Sequence, residues 1–244
     1  MSRFKHFERN TQGRDFVVGD IHGHFTRLQA ALEAVGFAPE VDRLFSVGDV
    51  VDRGPESERV LDWLAQPWFF AVQGNHEALA IKHVQHSDLD YPMYRASGGA
   101  WFLRLAPSEQ QKFVAYFKQM PIAIEVDTPS GLIGMVHADC PTPTWAMLRG
   151  ALLGHLPDSG RLEEYCQWSR ERLRLRDSSG IPDVRALFVG HSPLSRPELL
   201  GNVFHIDTGG WRFNGSGYFT LVNLATLEII SPRPTKPDED LVMR

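Results

Sequence analysis

Nine polar side chains in this 244-residue chain stand at the ends of short apolar runs: Asp20, His22, Asp49, Asp52, Asn75, His76, His137, His191 and His205. The runs read F-V-V-G-D-I-H-G (16–23), L-F-S-V-G-D-V-V-D-R-G (44–54), F-F-A-V-Q-G-N-H-E (69–77), L-I-G-M-V-H-A-D (132–139), L-F-V-G-H-S (187–192) and V-F-H-I-D-T-G-G (203–210). Carboxylates and neutral imidazoles are good ligands for borderline divalent metals. There are too many of them for one octahedral ion and a water. They suit two ions roughly 3.5 Å apart that share one carboxylate. Asp49 is the natural shared ligand, since it lies in sequence between the Asp20–His22 pair and Asn75. A hydroxide shared by the ions, formed near neutral pH because metal binding lowers the pKa of water, would be the nucleophile. A lone Asp or His after a strand is usually a helix cap or a satisfied surface group. The ordered set, with helical spacers between its members, is what argues for chemistry.

Such a set needs strands that deliver their ends to one edge, where α/β enzymes place their polar groups. Apolar runs predict strands at 16–18, 44–48, 68–72, 122–126, 132–137, 185–189, 202–206, 217–223 and 226–230. Phe4 and Phe7 suit an edge strand or the outside of a sheet. Spacings of three and four predict helices over 24–36 (Phe25, Leu28, Leu32, Val35), 55–65 and 76–86. The alternation of strand and helix over this first third argues for an α/β architecture with crossover connections. Residues 87–120 break that rhythm as a mostly helical insert beside the site, with a helix from Ser108 to about Lys118 that Gln111 would help to start. Thr128–Gly131 reads as a hairpin turn, 138–160 as a partly irregular segment, and 161–173 as a helix. No linker divides the chain, so residues 1–231 are expected to form a single domain. The charged, proline-bearing stretch 232–244 is expected to be a flexible C-terminal tail.

Composition narrows the partners. The net charge is −5, with 43% hydrophobic and 23% charged residues. This is ordinary for a globular protein and gives no basic surface for nucleic acid. No run reaches the length of a membrane span, and the N-terminus lacks a secretory apolar region. The two cysteines, Cys140 and Cys166, form no C-x-x-C pair, which fits a reducing, cytoplasmic compartment. Cys140 has no arginine six residues on, as a cysteine phosphatase would need.

The motifs G-D-I-H-G, G-D-V-V-D-R-G, G-N-H-E, H-A-D and G-H-S resemble those of the phosphoprotein-phosphatase type of metallophosphoesterase. The compact lambda-phage protein phosphatase and its bacterial relatives are the nearest likeness. Further stretches match that subgroup: P-W-F-F-A-V-Q-G-N-H-E (67–77), G-G-A-W-F (98–102), H-A-D-C-P (137–141), W-S-R-E-R (168–172) and I-D-T-G (206–209). The resemblance covers residues 15–225 and implies a calcineurin-like sandwich, two mixed β-sheets flanked by helices. It implies a first metal held by Asp20, His22 and Asp49, and a second held by Asp49, Asn75, His137 and His191. Manganese is the expected metal, with iron and zinc as the other candidates. His76 would be the general acid that protonates the leaving alkoxide, and Asp52 would accept a hydrogen bond from it and fix its tautomer. Arg53 would bind phosphate oxygens, its fork matching their geometry. The second phosphate-binding arginine falls on W-S-R-E-R, as Arg170 with Arg172 as the rival. Glu77 is expected to support the loop, Asp139 to orient neighbouring groups, and Trp168 to pack its helix onto the site. His205 matches no ligand position.

The activity this implies is hydrolysis of phosphoserine and phosphothreonine in phosphoproteins or phosphopeptides, with phosphotyrosine as a further substrate. No nucleic acid or membrane partner is expected, and a monomer is plausible. Hydrolysis of diadenosine tetraphosphate or of a broader range of phosphoesters is the alternative reaction. A metal-dependent binding scaffold is the alternative without catalysis, and the intact Asp52–His76 pair and Arg53 argue against it.

Overall fold

The computed structural model describes residues 3–85, 89–154 and 159–230. The chain runs through β1 (Phe4–Phe7), β2 (Asp15–Val18), α1 (Phe25–Ala34) and β3 (Arg43–Ser46). A 3-10 turn at Ser57–Arg59 leads into α2 (Val60–Leu64), then β4 (Phe69–Ala71) and α3 (Asn75–Val84). The insert follows as α4 (Tyr91–Tyr94), a π-helical stretch at Arg95–Gly99, α5 (Ala100–Leu103) and α6 (Pro107–Phe117). Next come β5 (Ala123–Thr128), β6 (Gly131–Val136), α7 (Trp145–Gly154), α8 (Ser159–Trp168) and α9 (Glu171–Leu175). Five strands follow: β7 (Ala186–Val189), β8 (Glu198–Leu200), β9 (Val203–His205), β10 (Leu221–Asn223) and β11 (Ile229–Ile230).

Two mixed sheets result, in the orders β1-β5-β6-β7-β9-β8 and β11-β10-β2-β3-β4. Strands β2, β3 and β4 are parallel, as are β6, β7 and β9. Each trio therefore ends at one edge of its sheet. Fully buried Val17, Phe45 and Val47 from one sheet meet Ile124, Met135 and Phe188 from the other in a common core between the layers. A second core, including Phe25, Leu28 and Phe117, joins the N-terminal helices and the insert to the outer face of one sheet. A third, including Trp145, Leu148 and Cys166, covers the outer face of the other. The expected sandwich is present, and Phe4–Phe7 is an edge strand pairing in parallel with β5.

Four expectations need correction. The segment 138–160 contains α7, whose Trp145, Leu148, Ala151 and Leu152 are buried. Glycines at 150 and 154 and prolines at 141 and 143 hid its period in the sequence. The helix read over 161–173 is two helices, α8 and α9, broken at Ser169–Arg170. The short strand β8 went unread, and the strand expected over 217–223 begins at Leu221. The α6 start uses Pro107 in its first turn, and Glu109, not Gln111, accepts from the Ala106 N–H at 3.1 Å. The tail expected from residue 232 lies outside the described residues.

His205 ends β9 with 2% exposure, and among the described residues neither ring nitrogen has a hydrogen-bond partner. Burial, with Arg172 and Arg176 nearby, pushes its pKa down to about 4. The folded pKa thus lies below the unfolded one. As pH falls the unfolded chain takes the proton first, so stability is complete above the unfolded pKa and drains away toward the folded one. Between pH 7 and pH 5 this single imidazole should remove about 2 kcal/mol. Urea unfolding of metal-free wild type and His205→Phe at both pH values checks it. The variant should lose less stability on acidification by that amount.

Candidate active site

The two parallel trios deliver their ends to one place. The loop after β2 carries Asp20 and His22, the loop after β3 carries Asp49, Asp52 and Arg53, and α3 starts at Asn75 and His76. From the other sheet, His137 follows β6 and His191 follows β7. Contacts across the sheets stitch them together. His137 Nδ1 lies 2.7 Å from the Val47 carbonyl, and the His191 N–H donates to Asp20 Oδ1 at 3.0 Å. Asn75 Oδ1 lies 3.0 Å from His137 Nε2 and 2.9 Å from His191 Nδ1. All six expected metal ligands are brought together, each at most 6% exposed.

Among the described residues, two groups of ligand atoms lie close enough to hold an ion: His22, Asp49 and His76, and Asp49, His137 and His191. They share Asp49, as a dinuclear centre requires. Asp20 stands beside the first group, 3.8 Å from His22 Nε2. His76 falls in it by proximity, its Nε2 3.7 Å from Asp49. Its other nitrogen, however, is committed to Asp52 at 2.7 Å, and Nε2 also lies 3.3 Å from Arg53.

The donors fit divalent cations. His22 Nδ1 lies 2.8 Å from the Val51 carbonyl, which places its proton there and leaves the Nε2 lone pair free. Nε2 of His22 and of His191 are buried without a hydrogen-bond partner among the described residues. Burial, then the charges of His76 and Arg53, pushes the His22 pKa well down, and burial with His137 pushes His191 to about 3. Both shifts favour the neutral imidazole that metal binding requires. Burial disfavours the Asp49 charge, but the imidazoles of His137, His76 and His22 hold it well below the usual carboxylate range. Burial works against a charged His137, yet Asp49 facing it lifts its pKa to about 9. Burial and then Asp207 push Asp20 well up.

The arginines separate. Arg170, released at the break between α8 and α9, donates from Nη1 to Ser192 Oγ at 3.2 Å, next to His191. Arg172 is 6% exposed and donates from Nε to Asp139 Oδ1 at 2.9 Å. It is a buried structural pair, and it also accounts for Asp139, which braces Arg172 and the Cys140 N–H instead of a ligand. Trp168 packs its ring 6.1 Å from that of His191.

Residues 16–195 match the calcineurin-like phosphoesterase family. The chain belongs to that family. It is 36% identical over 200 residues to serine/threonine-protein phosphatase 2 of Escherichia coli K12, covering 80% of this chain and 86% of the relative. It is 33% identical over 181 residues to the symmetrical bis(5'-nucleosyl)-tetraphosphatase of Pseudomonas entomophila, covering 66% and 61%. The fold is similar to that of a protein serine/threonine phosphatase from Saccharomyces cerevisiae, with TM-score 0.63, 17% identity, and coverage of 97% of this chain and 86% of that one.

Three residues of this calcineurin-like phosphoesterase went unassigned in the sequence. Asp207, in I-D-T-G, is 1% exposed, accepts from the Gly209 N–H and from Trp211 Nε1, and leaves Oδ2 without a partner among the described residues. Trp211 lies under Arg53, with the guanidinium carbon 4.2 Å from the ring centroid. Trp101, in G-G-A-W-F, donates from Nε1 to Asp52 Oδ1 at 2.6 Å. A carboxylate closing a sixth apolar run, and for Trp101 the G-G-A-W-F motif, were the available signals; Trp211 lies just beyond the last run.

Glu77 does what its expected supporting part requires. Its Oε2 accepts from the N–H groups of Gly74 at 2.7 Å and Asp49 at 3.1 Å, and its Oε1 from those of Val50 at 2.9 Å and Val51 at 3.3 Å. The change Glu77→Gln turns one acceptor into a donor facing buried N–H groups. It should cost about 2–4 kcal/mol of stability in urea unfolding of the metal-free chain. Calorimetry should show divalent-metal affinity weakened about tenfold or more. Unchanged stability and affinity would remove the clamp from the account.

Proposed function

We propose that this chain is a manganese-dependent phosphoprotein phosphatase, hydrolysing phosphoserine and phosphothreonine monoesters, with phosphotyrosine as a further substrate. The observation that carries the reading is the Asp52–His76 pair at 2.7 Å, with Arg53 against it, at the edge of the two ligand groups. The name of the Escherichia coli relative supports the same substrate class. Asp20, His22 and Asp49 would hold one cation, and Asp49, Asn75, His137 and His191 the other. Mixed oxygen and nitrogen donors suit manganese, iron or zinc. When bound, such cations activate water near neutral pH and offset the charge of the phosphate.

The chain's own groups account for the rest. Arg53 and Arg170 bind the non-bridging phosphate oxygens and stabilise their charge as the phosphoryl group is transferred. Trp211 supports the Arg53 fork from below. Burial opposes a charged His76, but Asp49 and Asp52 raise its pKa, and with Nδ1 held by Asp52 the nitrogen left to offer a proton to the ester is Nε2. That proton goes to the leaving oxygen as the P–O bond breaks, which a serine or threonine alkoxide needs. No covalent intermediate is required.

Purified protein with manganese, offered phosphopeptides, diadenosine tetraphosphate and bis-p-nitrophenyl phosphate side by side, tests this. Phosphopeptide hydrolysis should dominate. The change His76→Asn should lower kcat on a phosphoserine peptide by about 10²–10⁴-fold. A decisive dinucleotide preference would move the chain to the activity named for the Pseudomonas relatives. Absence of metal-stimulated turnover would leave a binding scaffold.

A further inference from the structure

The helical insert carries a residue aimed at the chemistry. Trp101 is the second residue of α5, and its indole N–H reaches Asp52 Oδ1 at 2.6 Å. The other oxygen, Oδ2, is taken by His76 Nδ1 at 2.7 Å. Asp52 is fully buried, so these two donors are its side-chain partners in a place without solvent. The insert is built to make this contact. The π-helical stretch Arg95–Gly99 holds Gly98 at φ 110°, where a side chain would collide with the backbone nitrogen of Arg53. The insert therefore lies flush against the loop that carries both Asp52 and Arg53. Phe113 of α6 meets the Trp101 ring edge-on at 5.2 Å and sets its plane.

We propose that Trp101 is a positioning residue for the general acid, acting through Asp52 on His76. A neutral donor on Oδ1 fixes the carboxylate plane without adding a cation beside the imidazole. With Asp52 fixed, His76 carries its proton at Nε2 facing the ester. The step served is one proton transfer: the His76 Nε2–H bond breaks, the P–O bond to the leaving group breaks, and the leaving oxygen keeps that electron pair and gains the proton. A residue acting through the general acid must matter only where the leaving oxygen needs a proton.

The test compares two monoesters in manganese-loaded wild type and Trp101→Phe, which keeps the ring contact with Phe113. On a phosphoserine peptide, kcat should fall about tenfold or more with KM unchanged. On p-nitrophenyl phosphate, whose leaving oxyanion needs no proton, kcat should stay within about twofold. Added to Asp52→Asn, the substitution should cost nothing more on the peptide. Equal loss on both esters, or a further loss in the double variant, would overturn the proposal in favour of a general structural role. A second measurement needs no Trp101 variant: in the Asp52→Asn protein, one indole N–H resonance should move upfield from its wild-type position. If none moves, the contact is refuted. The inference rests on monoester hydrolysis as the reaction. A wild-type chain that turned over neither ester would end that reading, while the indole resonance would still decide the Trp101–Asp52 contact.

Discussion

The Glu77 carboxylate holds the site's two backbones in one geometry. It accepts N–H groups from the turn that carries Asp49 and from Gly74, the residue just before α3. That turn is strained. Among the described residues other than glycine, seven have positive φ, and five of them are His22, Asp49, Asp52, Arg53 and His191. Such conformations cost of order 1–3 kcal/mol each and persist only where surrounding structure imposes them. Glu77 imposes this one by satisfying N–H groups that the αL backbone turns away from the ladder. At Gly74 a side chain would collide with Asp49 Oδ1, so the close approach of the two backbones is available only to glycine. The same approach lets the His76 N–H, at the start of α3, donate to Asp49 Oδ1 at 3.0 Å. A helix N-terminus thereby supports the carboxylate that the two ligand groups share.

Much of this was legible because the ligands obey a local rule. Each follows a short apolar strand, and parallel strands put their ends on one edge without any side-chain detail. That rule marked Asp20, Asn75 and His191 as strand-end groups, while the family resemblance put them in one ligand set, since His191 follows a strand of the other sheet. Contacts that depend on long-range packing were not legible. Trp101 meets Asp52 from an insert kinked at Gly98, and no sequence period marks that kink. The contrast between Arg170 and Arg172 was hidden for the same reason. Both sit in one apparently helical stretch, and only the break at Ser169 turns one toward Ser192 and the other toward Asp139. Helix α7 was obscured by glycines on its exposed side, although Trp145 and Leu148 carried the right spacing.

The charge balance of the centre shows why cations belong to the architecture and are not added to it. Asp20, Asp49 and Asp207 are buried together, and the proximity of Asp207 and Asp49 raises the Asp20 pKa beyond what burial does. Facing them are His137, which Asp49 lifts toward the charged form, and His22 and His191, which burial keeps neutral. Three carboxylates buried this close repel one another in a medium where unpaired charge is so costly. Two divalent cations bound between them would discharge the carboxylates and displace the His137 proton, so metal affinity should rise with pH as that proton leaves. The Asp52–His76 pair sits just outside this balance. Its carboxylate takes a neutral indole on one oxygen and the His76 imidazole on the other. The chain thus separates two tasks with one fold edge: carboxylates short of positive charge gather metal, and a carboxylate with its partners already in place orients the acid.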